Sequence, residues 1–215
     1  PYRDNQLASL GVIGAGNYAS RVLIPALKTS GARLHTLATS GGINSVIHGK
    51  SNGFQYATTD VTEMLNNDEV NTVVIATQHN SHANFVCQAL AAQKHVFVEK
   101  PIAITQKQHQ QVIEEIEKNK GSSILMVGYN RRFSPHIQKM KSLLAQISEP
   151  KSFVMTMNAG AIPPEHWVHD KAKGGGRIIG EACHFIDLMR YLAGHEIVSV
   201  QARRMTNGTT EIVED

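Results

Sequence analysis

A lysine between a carboxylate and a proline, in Glu99-Lys100-Pro101, is a first candidate for chemistry. The apolar run before it, from His95 to Val98, predicts a buried strand, so Lys100 would follow the carboxyl end of that strand. The proline biases Lys100 towards an extended backbone, which could fix the direction of its side chain. An ammonium there can hydrogen-bond a substrate hydroxyl and favour its deprotonation. The alternative is a lysine in a surface salt bridge.

A histidine and an aspartate form a second candidate group, at the end of the glycine-rich stretch 174–187. His184 is predicted to begin a helix, and an imidazole titrates in the range that suits proton exchange near neutrality. Asp187 lies three residues further along the same helix face, where it could orient the ring or contact substrate. The alternative for His184 is a core histidine bonded to backbone.

A glycine-rich turn near the start of the chain, within 10–19, predicts a phosphate-binding loop. Gly14 would make the turn, Gly16 would let backbone approach a pyrophosphate, and Ala19 would allow close contact between helix and strand. The start of the following helix would present free N–H groups to the phosphates. This spacing predicts a dinucleotide site, and the alternative is a glycine turn without a ligand.

The elements that must position these groups alternate between strand and helix over residues 1–128. This alternation predicts an α/β fold, a doubly wound parallel sheet of the Rossmann type. Its carboxyl edge would bring together 14–19, 77–82 and 99–101, since ligands bind outside the carboxyl ends of such strands. Residues 129–215 change pattern and predict a second, truncated α+β domain. Its predicted elements are a helix after Pro135, a helix over 183–193, and strands over 153–157 and 197–202.

The end of the second predicted strand, 33–39, bears on the choice of dinucleotide. An acid usually stands there to hold the adenosine ribose, and this sequence has none. Ser40 leaves room for a 2′-phosphate, with Lys50 as a distant partner, so the sequence favours NADP over NAD. The alternative is that Ser40 caps the turn and the preference is mixed.

Composition narrows the class of protein. Hydrophobic content of 41% and charged content of 18% are typical of a soluble globular protein, predicted to be cytoplasmic. The net charge is only +3, and the Lys and Arg residues are scattered along the chain instead of forming a basic run, which argues against a nucleic-acid partner. No apolar stretch predicts a membrane span or a secretory signal. Cys87 and Cys183 predict neither a disulfide framework nor a metal site, and a start at Pro1 predicts a piece of a longer polypeptide.

Five stretches together resemble the glucose-fructose oxidoreductase / inositol dehydrogenase family, Gfo/Idh/MocA. They are 14–19, 80–82, 94–101, 129–133 and 174–187. The resemblance implies NAD(P)-dependent oxidation of a sugar or cyclitol hydroxyl, or the reverse reduction, by a homo-oligomer when the chain is full length. It implies that Lys100 is the catalytic lysine and His184 its acid/base partner. Glu99 and Asn80 would lie near the nicotinamide.

One position departs from the family pattern. Many members carry Asp four residues before this histidine, where this chain has Gly180 followed by Glu181. Glu181 could supply the carboxylate through a local kink, because adjacent residues on a strand point to opposite faces. Alternatively, the Lys–His pair works without a carboxylate.

The predicted site therefore has a catalytic and a cofactor-binding part, and no metal. The catalytic residues are Lys100, His184, Glu181 and Asp187. The cofactor-binding residues are Gly14, Gly16, Asn17, Tyr18, Ser40, Thr77, Asn80, His82, Glu99 and Lys100. Further residues could contact the substrate: Trp167 with His166 and His169 against a sugar ring, or Arg131 and Arg132 against an acidic group. For Trp167 the alternative is a packed loop anchor, and for the arginines a solvated surface.

Two other function classes compete with a dehydrogenase. The first is a sensor or regulatory protein that holds NAD(P) without turnover, which the shifted carboxylate favours. The second is an S-adenosylmethionine enzyme, because glycine-rich first turns serve that cofactor too. The sequence Glu99-Lys100-Pro101 argues against the second class.

Overall fold

A computed structural model describes residues 7–203 of the chain. The chain divides into two compact units, Pro1–Gly128 and Tyr129–Asp215.

The first unit is built on one parallel sheet of six strands. The strands are β1 (Ser9–Ile13), β2 (Arg33–Ala38), β3 (Tyr56–Thr58), β4 (Thr72–Ile75), β5 (His95–Val98) and β6 (Leu125–Val127). Their order across the sheet is β3-β2-β1-β4-β5-β6, the doubly wound arrangement. From β1 the chain first adds β2 and β3 on one side of the sheet and then β4, β5 and β6 on the other side. The switch between the two sides lies between β1 and β4, which is where such folds open a crevice for a ligand. The predicted fold class is confirmed.

Helices cover both faces of this sheet. They are α1 (Ile24–Thr29), α2 (Gly42–Asn52), α3 (Val61–Leu65), α4 (His79–Ala91) and α5 (Gln106–Asn119), with a π-helical turn at Ala19–Leu23 before α1. Strand β1 is buried along its whole length, as a central parallel strand must be. One core cluster packs β4 and β5 against α4 and Val112 of α5, and another packs β1 and β2 against Ile24 of α1.

Helix α2 is not anticipated by the sequence pattern. It begins after Gly41 and ends at Gly53, whose φ of 86° is the left-handed conformation that glycine adopts without strain. Its large apolar side chains, Ile43, Val46 and Ile47, are exposed, so no buried stripe marks the helix in the sequence.

The regular elements of the second unit are all helical over the described residues, and long irregular segments connect them. Its helices are α6 (Pro135–Leu144) and α7 (Cys183–Ala193), with 3₁₀ turns at Asn130–Phe133 and Trp167–His169 and a π-helical turn at Ile178–Ala182. The helices predicted after Pro135 and over 183–193 are present. The strands predicted over 153–157 and 197–202 are wrong, because neither segment pairs with a strand within residues 129–203. An alternating pattern gives a strand only where a neighbour supplies the ladder of hydrogen bonds.

Two kinds of feature are absent from residues 7–203. No helix there combines the length and apolar character needed to cross a membrane. No group of three or more His, Cys, Asp or Glu side chains in that range could hold a metal ion.

Candidate functional site

The glycine-rich loop after β1 is held between the ends of β2 and β4. The Gly14 N–H donates to the Ala38 carbonyl at 2.9 Å. Gly14 has φ of 99°, and a Cβ there would lie 2.5 Å from the Ala76 carbonyl oxygen. Only glycine satisfies both constraints, so the loop is fixed at the point where the sheet reverses.

The next residues leave space where a pyrophosphate would bind. A Cβ built on Gly16 meets no atom within 4 Å. The Gly16 carbonyl accepts the Ser20 N–H at 2.9 Å, so the helix starts at this glycine. Ala19 is buried in the core cluster around β1, whereas Asn17 and Tyr18 are exposed. This arrangement fits a dinucleotide phosphate, because open backbone at a helix start favours anions.

The segment after β4 is held by short side-chain contacts. The hydroxyls of Thr77 and Ser81 lie 2.6 Å apart. The His82 ring is buried, with Nδ1 2.7 Å from the Pro101 carbonyl oxygen and Nε2 3.0 Å from the Thr77 carbonyl oxygen. Asn80 is exposed, and its carbonyl accepts a hydrogen bond from Gln108 of α5 at 3.0 Å.

The segment after β5 carries the predicted catalytic lysine. The Glu99 N–H donates to the Ile75 carbonyl at 2.9 Å, so this segment continues beside β4. Burial raises the pKa of the Glu99 carboxyl, against a lowering by the hydrogen bond it accepts from the Lys100 N–H at 3.3 Å. Lys100 is half-buried, and the Lys100–Pro101 peptide bond is cis.

The structure therefore brings most of the predicted cofactor residues of the first unit to one edge of its sheet. The Ala76 N–H, beside Thr77, donates to the carbonyl of Ile13, beside Gly14, at 2.9 Å. His82 joins the segment that holds Thr77 to the one that holds Lys100. Ser40 lies apart from these contacts, exposed in the turn after β2.

In the second unit His184 lies in the first turn of α7. It is half-buried, and its ring meets the Tyr129 ring edge-on with centroids 6.3 Å apart. Burial is the main reason that the pKa of Tyr129 rises to about 12, so this phenol stays protonated and can donate a hydrogen bond. Tyr129 lies 55 positions from His184, and no local spacing in the sequence signals the contact.

Asp187 is held by an arginine of the 3₁₀ turn at Asn130–Phe133. Arg132 donates from Nε to one carboxylate oxygen at 2.6 Å and from a terminal nitrogen to the other. The Asp187 side chain is buried, and its hydrogen bond raises the pKa of Arg132. Arg131 lies over the Phe185 ring at 4.5 Å. The two arginines proposed to reach a substrate acid thus have intramolecular partners.

Glu181 also has a partner within the unit. Its carboxylate accepts from Arg177, whose terminal nitrogen lies 3.1 Å away, and Arg177 donates as well to the Gly160 carbonyl at 2.8 Å. The assumption that 180 and 181 lie on a strand is wrong, because both lie in the π-helical turn before α7. Such turns are frequent at functional sites.

The residues predicted to line a sugar pocket form a compact turn. The His166 ring accepts the Val168 N–H at 3.3 Å, and its centroid is 5.7 Å from that of Trp167. The His169 Nε2 is 3.4 Å from the Ile162 carbonyl oxygen. A Cβ on Gly174 would lie 2.4 Å from the Val168 Cα, so this glycine serves close packing of the turn.

The second unit also contains a large apolar cavity, of about 920 Å³. Its walls include Met155, Met157, Phe185 and Met189, with Arg177 and Glu181 among its few charged members. Such walls offer few of the hydrogen bonds that a polyhydroxylated ligand requires.

Comparison with known proteins gives matches over almost the whole chain. The family model for the oxidoreductase family with an NAD-binding Rossmann fold, GFO_IDH_MocA, matches residues 8–129. The model for the GFO/IDH/MocA C-terminal domain matches residues 137–215.

Individual relatives agree with these models. The myo-inositol 2-dehydrogenase of Thermotoga maritima is 30% identical over 70% of this chain and 44% of its own length. The inositol 2-dehydrogenase 2 of Saccharopolyspora erythraea is 30% identical over 90% of this chain and 56% of its own. A levoglucosan dehydrogenase, solved in complex with NADH and levoglucosan, superposes with a TM-score of 0.75 at 25% identity, over 88% of this chain and 55% of that one.

The chain spans about half the length of the curated relatives it matches. The family description names NAD and the levoglucosan dehydrogenase was solved in complex with NADH, so the preference for NADP is not supported. The sheet order, the glycine loop and both family models agree, and the chain belongs to the Gfo/Idh/MocA oxidoreductase family, with an NAD-binding Rossmann domain.

Proposed function

We propose that the protein to which this chain belongs is an NAD-dependent dehydrogenase acting on a ring hydroxyl of a cyclitol or sugar. The bound nicotinamide supplies the hydride acceptor, so the alcohol carbon gives up a hydride and the hydroxyl gives up a proton. The same residues serve the reverse reduction of the ketone.

The observation that carries this proposal is the convergence of three segments at one edge of the first unit. The Ala76 N–H donates to the Ile13 carbonyl at 2.9 Å, which joins the segment after β4 to the start of the glycine loop. The His82 ring lies within hydrogen-bond distance of the carbonyls of Thr77 and of Pro101, the residue after Lys100. A dinucleotide laid across this edge has its phosphates at the glycine loop. The substrate class follows from relatives named for myo-inositol and levoglucosan, both of which are hydroxylated rings.

The choice of NAD rather than NADP is part of the proposal. It is supported by the NADH complex of the levoglucosan dehydrogenase and by the family description. Ser40 and Lys50, on which the expectation of NADP rests, are both exposed. We expect Ser40 to face the adenosine ribose.

The four residues predicted to be catalytic divide into two pairs. We propose that Lys100 hydrogen-bonds the reacting hydroxyl and that His184 takes up or returns its proton. Asp187 is bound by Arg132 and Glu181 by Arg177, so each carboxylate orients helix α7 or the turn before it. The predicted homo-oligomer and cytoplasmic location stay predictions.

The test combines cofactor binding with turnover. NADH and NADPH are titrated by fluorescence, and NAD reduction is followed with a panel of inositols and anhydrosugars. We expect tighter binding of NADH, turnover of at least one ring polyol, and a loss in kcat of roughly 100-fold or more in Lys100→Met. Lys107→Met, at an exposed position on α5, is the matched control. Binding of NADH with no turnover of any polyol, in a protein of the relatives' length, would favour the sensor instead.

A further inference from the structure

The imidazole of His82 lies between two backbone carbonyls that belong to different segments of the site. Nδ1 is 2.7 Å from the oxygen of Pro101, directly after Lys100, and Nε2 is 3.0 Å from the oxygen of Thr77. The ring is fully buried, so water does not compete for either nitrogen. Both contacts are hydrogen-bond distances, and both partners can only accept.

This geometry limits how many of the two bonds can exist at once. A neutral imidazole has one N–H, so it can donate to one of the two carbonyls and turns a lone pair towards the other. An imidazolium donates to both. The number of hydrogen bonds that join the two segments therefore depends on one proton.

We propose that His82 is a positioning residue that joins the segment of Thr77 to the segment of Lys100, through one donated hydrogen bond when its ring is neutral and two when it is protonated. The neutral ring keeps the shorter bond, to Pro101, and so holds the backbone beside Lys100. Protonation adds the bond to Thr77 and fixes the segment against which the dinucleotide lies. The effect on turnover rests on the proposed function, whereas the effect on the two segments does not.

The surroundings of the ring determine when the second bond forms. Burial is the largest influence on the pKa of His82, the charge of Lys100 lowers it as well, and the hydrogen bonds to Pro101, Thr77 and the Glu99 backbone oppose them. The balance places this pKa below the ordinary 6.5, so the ring is neutral at and above neutrality and gains its second N–H only in acid.

Other groups around the ring come from each packed element. The His79 ring, on the same helix, is 5.8 Å away between centroids. The segment after β5 contributes Glu99 and Lys100. The segment after β4 contributes the hydroxyls of Thr77 and Ser81, and α5 meets this end of α4 through the neutral amide of Gln108.

Two conservative replacements of His82 each keep one of the two hydrogen bonds and remove the other. The amide nitrogen of Asn takes the place of Nδ1, so His82→Asn keeps a donor for Pro101 and loses the one for Thr77. The amide nitrogen of Gln takes the place of Nε2, so His82→Gln keeps a donor for Thr77 and loses the one for Pro101. The exposed His109, on α5, gives the matched controls His109→Asn and His109→Gln.

The first experiment follows the histidine ring nitrogens by ¹H–¹⁵N NMR in the 215-residue chain without cofactor, with the His82 signal identified by its loss in His82→Asn. At about pH 8, above the ordinary histidine pKa, we expect one slowly exchanging ring N–H, on Nδ1. As the pH is lowered well below the ordinary histidine pKa, we expect a second slowly exchanging ring N–H to appear, on Nε2. A ring protonated on Nε2 alone at the higher pH, or ring protons that exchange freely with water at both, would overturn the proposal.

The second experiment measures NADH affinity and, where the parent turns over a polyol, kcat. We expect the parent to bind NADH roughly fivefold more tightly at the lower pH, since one hydrogen bond is gained, and His82→Asn to lose that gain while both His109 variants keep it. At the higher pH we expect the kcat of His82→Gln to fall roughly tenfold below that of His82→Asn, whereas both His109 variants keep the parent's kcat.

Equal behaviour of the two His82 variants at the higher pH, or a full pH response of NADH binding in His82→Asn, would contradict the inference. A parent that binds NADH with the expected pH response but shows no turnover would count against the proposed dehydrogenase and not against the role of His82.

Discussion

Two glycines of the loop after β1 are required for different reasons. Gly14 has positive φ and lies against the Ala76 carbonyl, whereas the space around Gly16 is open. We predict that Gly14→Ala destabilises the chain by at least about 1 kcal/mol, because a methyl group meets backbone that cannot move aside and the residue is forced into a strained conformation. Urea denaturation followed by circular dichroism measures the change.

The matched variant is Gly16→Ala, which leaves the denaturation midpoint close to that of the parent and weakens NADH binding. Its methyl group occupies only the space where the pyrophosphate approaches. Equal stability of the two variants, or undiminished NADH affinity in Gly16→Ala, would show that the loop does not hold the phosphates in this way.

The Glu99 carboxyl provides a prediction about pH. Burial holds its pKa in the folded state above the ordinary glutamate value of 4.5, so the folded state binds its proton more tightly than the unfolded state does. The stability linked to this group is therefore complete below pH 4.5 and is lost as the pH rises through the folded pKa. We predict that Glu99→Gln raises the urea midpoint at neutral pH, and that the gain shrinks as the pH falls towards 4.5.

The exposed Glu117 on α5 supplies the control, Glu117→Gln, for the loss of one surface carboxylate. A constant difference between Glu99→Gln and its parent from neutral to acid pH would contradict the account of burial.

Residues whose function depends on near neighbours in sequence could be anticipated, and residues that depend on distant contacts could not. The positive φ of Gly14 and the burial of Ala19 could be expected from their spacing, because a tight turn between a strand and a helix needs small residues there. The pairing of Arg132 with Asp187 crosses 55 positions, and no local pattern encodes it. The partner of Glu181 is Arg177, only four residues earlier in the sequence. This spacing indicates an ion pair on a helix, but it does not indicate one on the strand assumed from the sequence.

The pairing of Arg132 with Asp187 is a property of two elements, because it fastens α7 to the 3₁₀ turn at Asn130–Phe133. Gln138 of α6 reinforces it by donating to the Arg132 carbonyl and to the Tyr191 hydroxyl at 3.1 Å. We predict that Asp187→Asn lowers the free energy of unfolding by about 2 kcal/mol or more, since a half-buried guanidinium loses its carboxylate. Chemical denaturation, with fluorescence of Trp167 as the probe for the second unit, measures the loss.

The control is the exposed pair of Lys173 and Asp170, 3.4 Å apart. Lys173→Met should change stability by less than about 0.5 kcal/mol, as exposed pairs do. A cost for Asp187→Asn no larger than this, or a double variant with Arg132→Met whose loss is the sum of the two single losses, would mean that the pair does not join the two elements.

A strand or helix could be predicted where the apolar residues of its own segment indicate that it is buried. Strands β1, β4 and β5 are short, continuous apolar runs, which parallel strands buried on both faces require. Helix α2 lacks a buried apolar stripe, so the sequence pattern does not predict it. The segments over 153–157 and 197–202 alternate convincingly, yet Val154 and Val198 are 94% and 95% exposed and no strand lies beside either segment within residues 129–203. A segment forms a strand only when a second strand lies beside it, and the sequence of the segment alone does not show whether that second strand is present.

At the scale of the whole chain, the two units differ in how completely they are packed. Both large core clusters consist of residues of the first unit. The second unit exposes large apolar side chains such as Val154, Val198 and Val200. The first unit thus has the sheet, the helices on both faces and the glycine loop that a dinucleotide site needs.

We therefore predict that residues 1–128 fold and bind NADH without the rest of the chain. The fragment should unfold in one cooperative transition, because its core closes within its own boundary. NADH at about 100 times its Kd should stabilise it by about 2.7 kcal/mol, the value for a ligand that binds only the folded state. Thermal unfolding with and without NADH measures the shift, and the same fragment carrying Gly16→Ala should require more NADH for it. Two outcomes would show that the dinucleotide site depends on residues beyond Gly128. The fragment could unfold gradually, or its unfolding temperature could stay unchanged on adding NADH while that of the 215-residue chain rises.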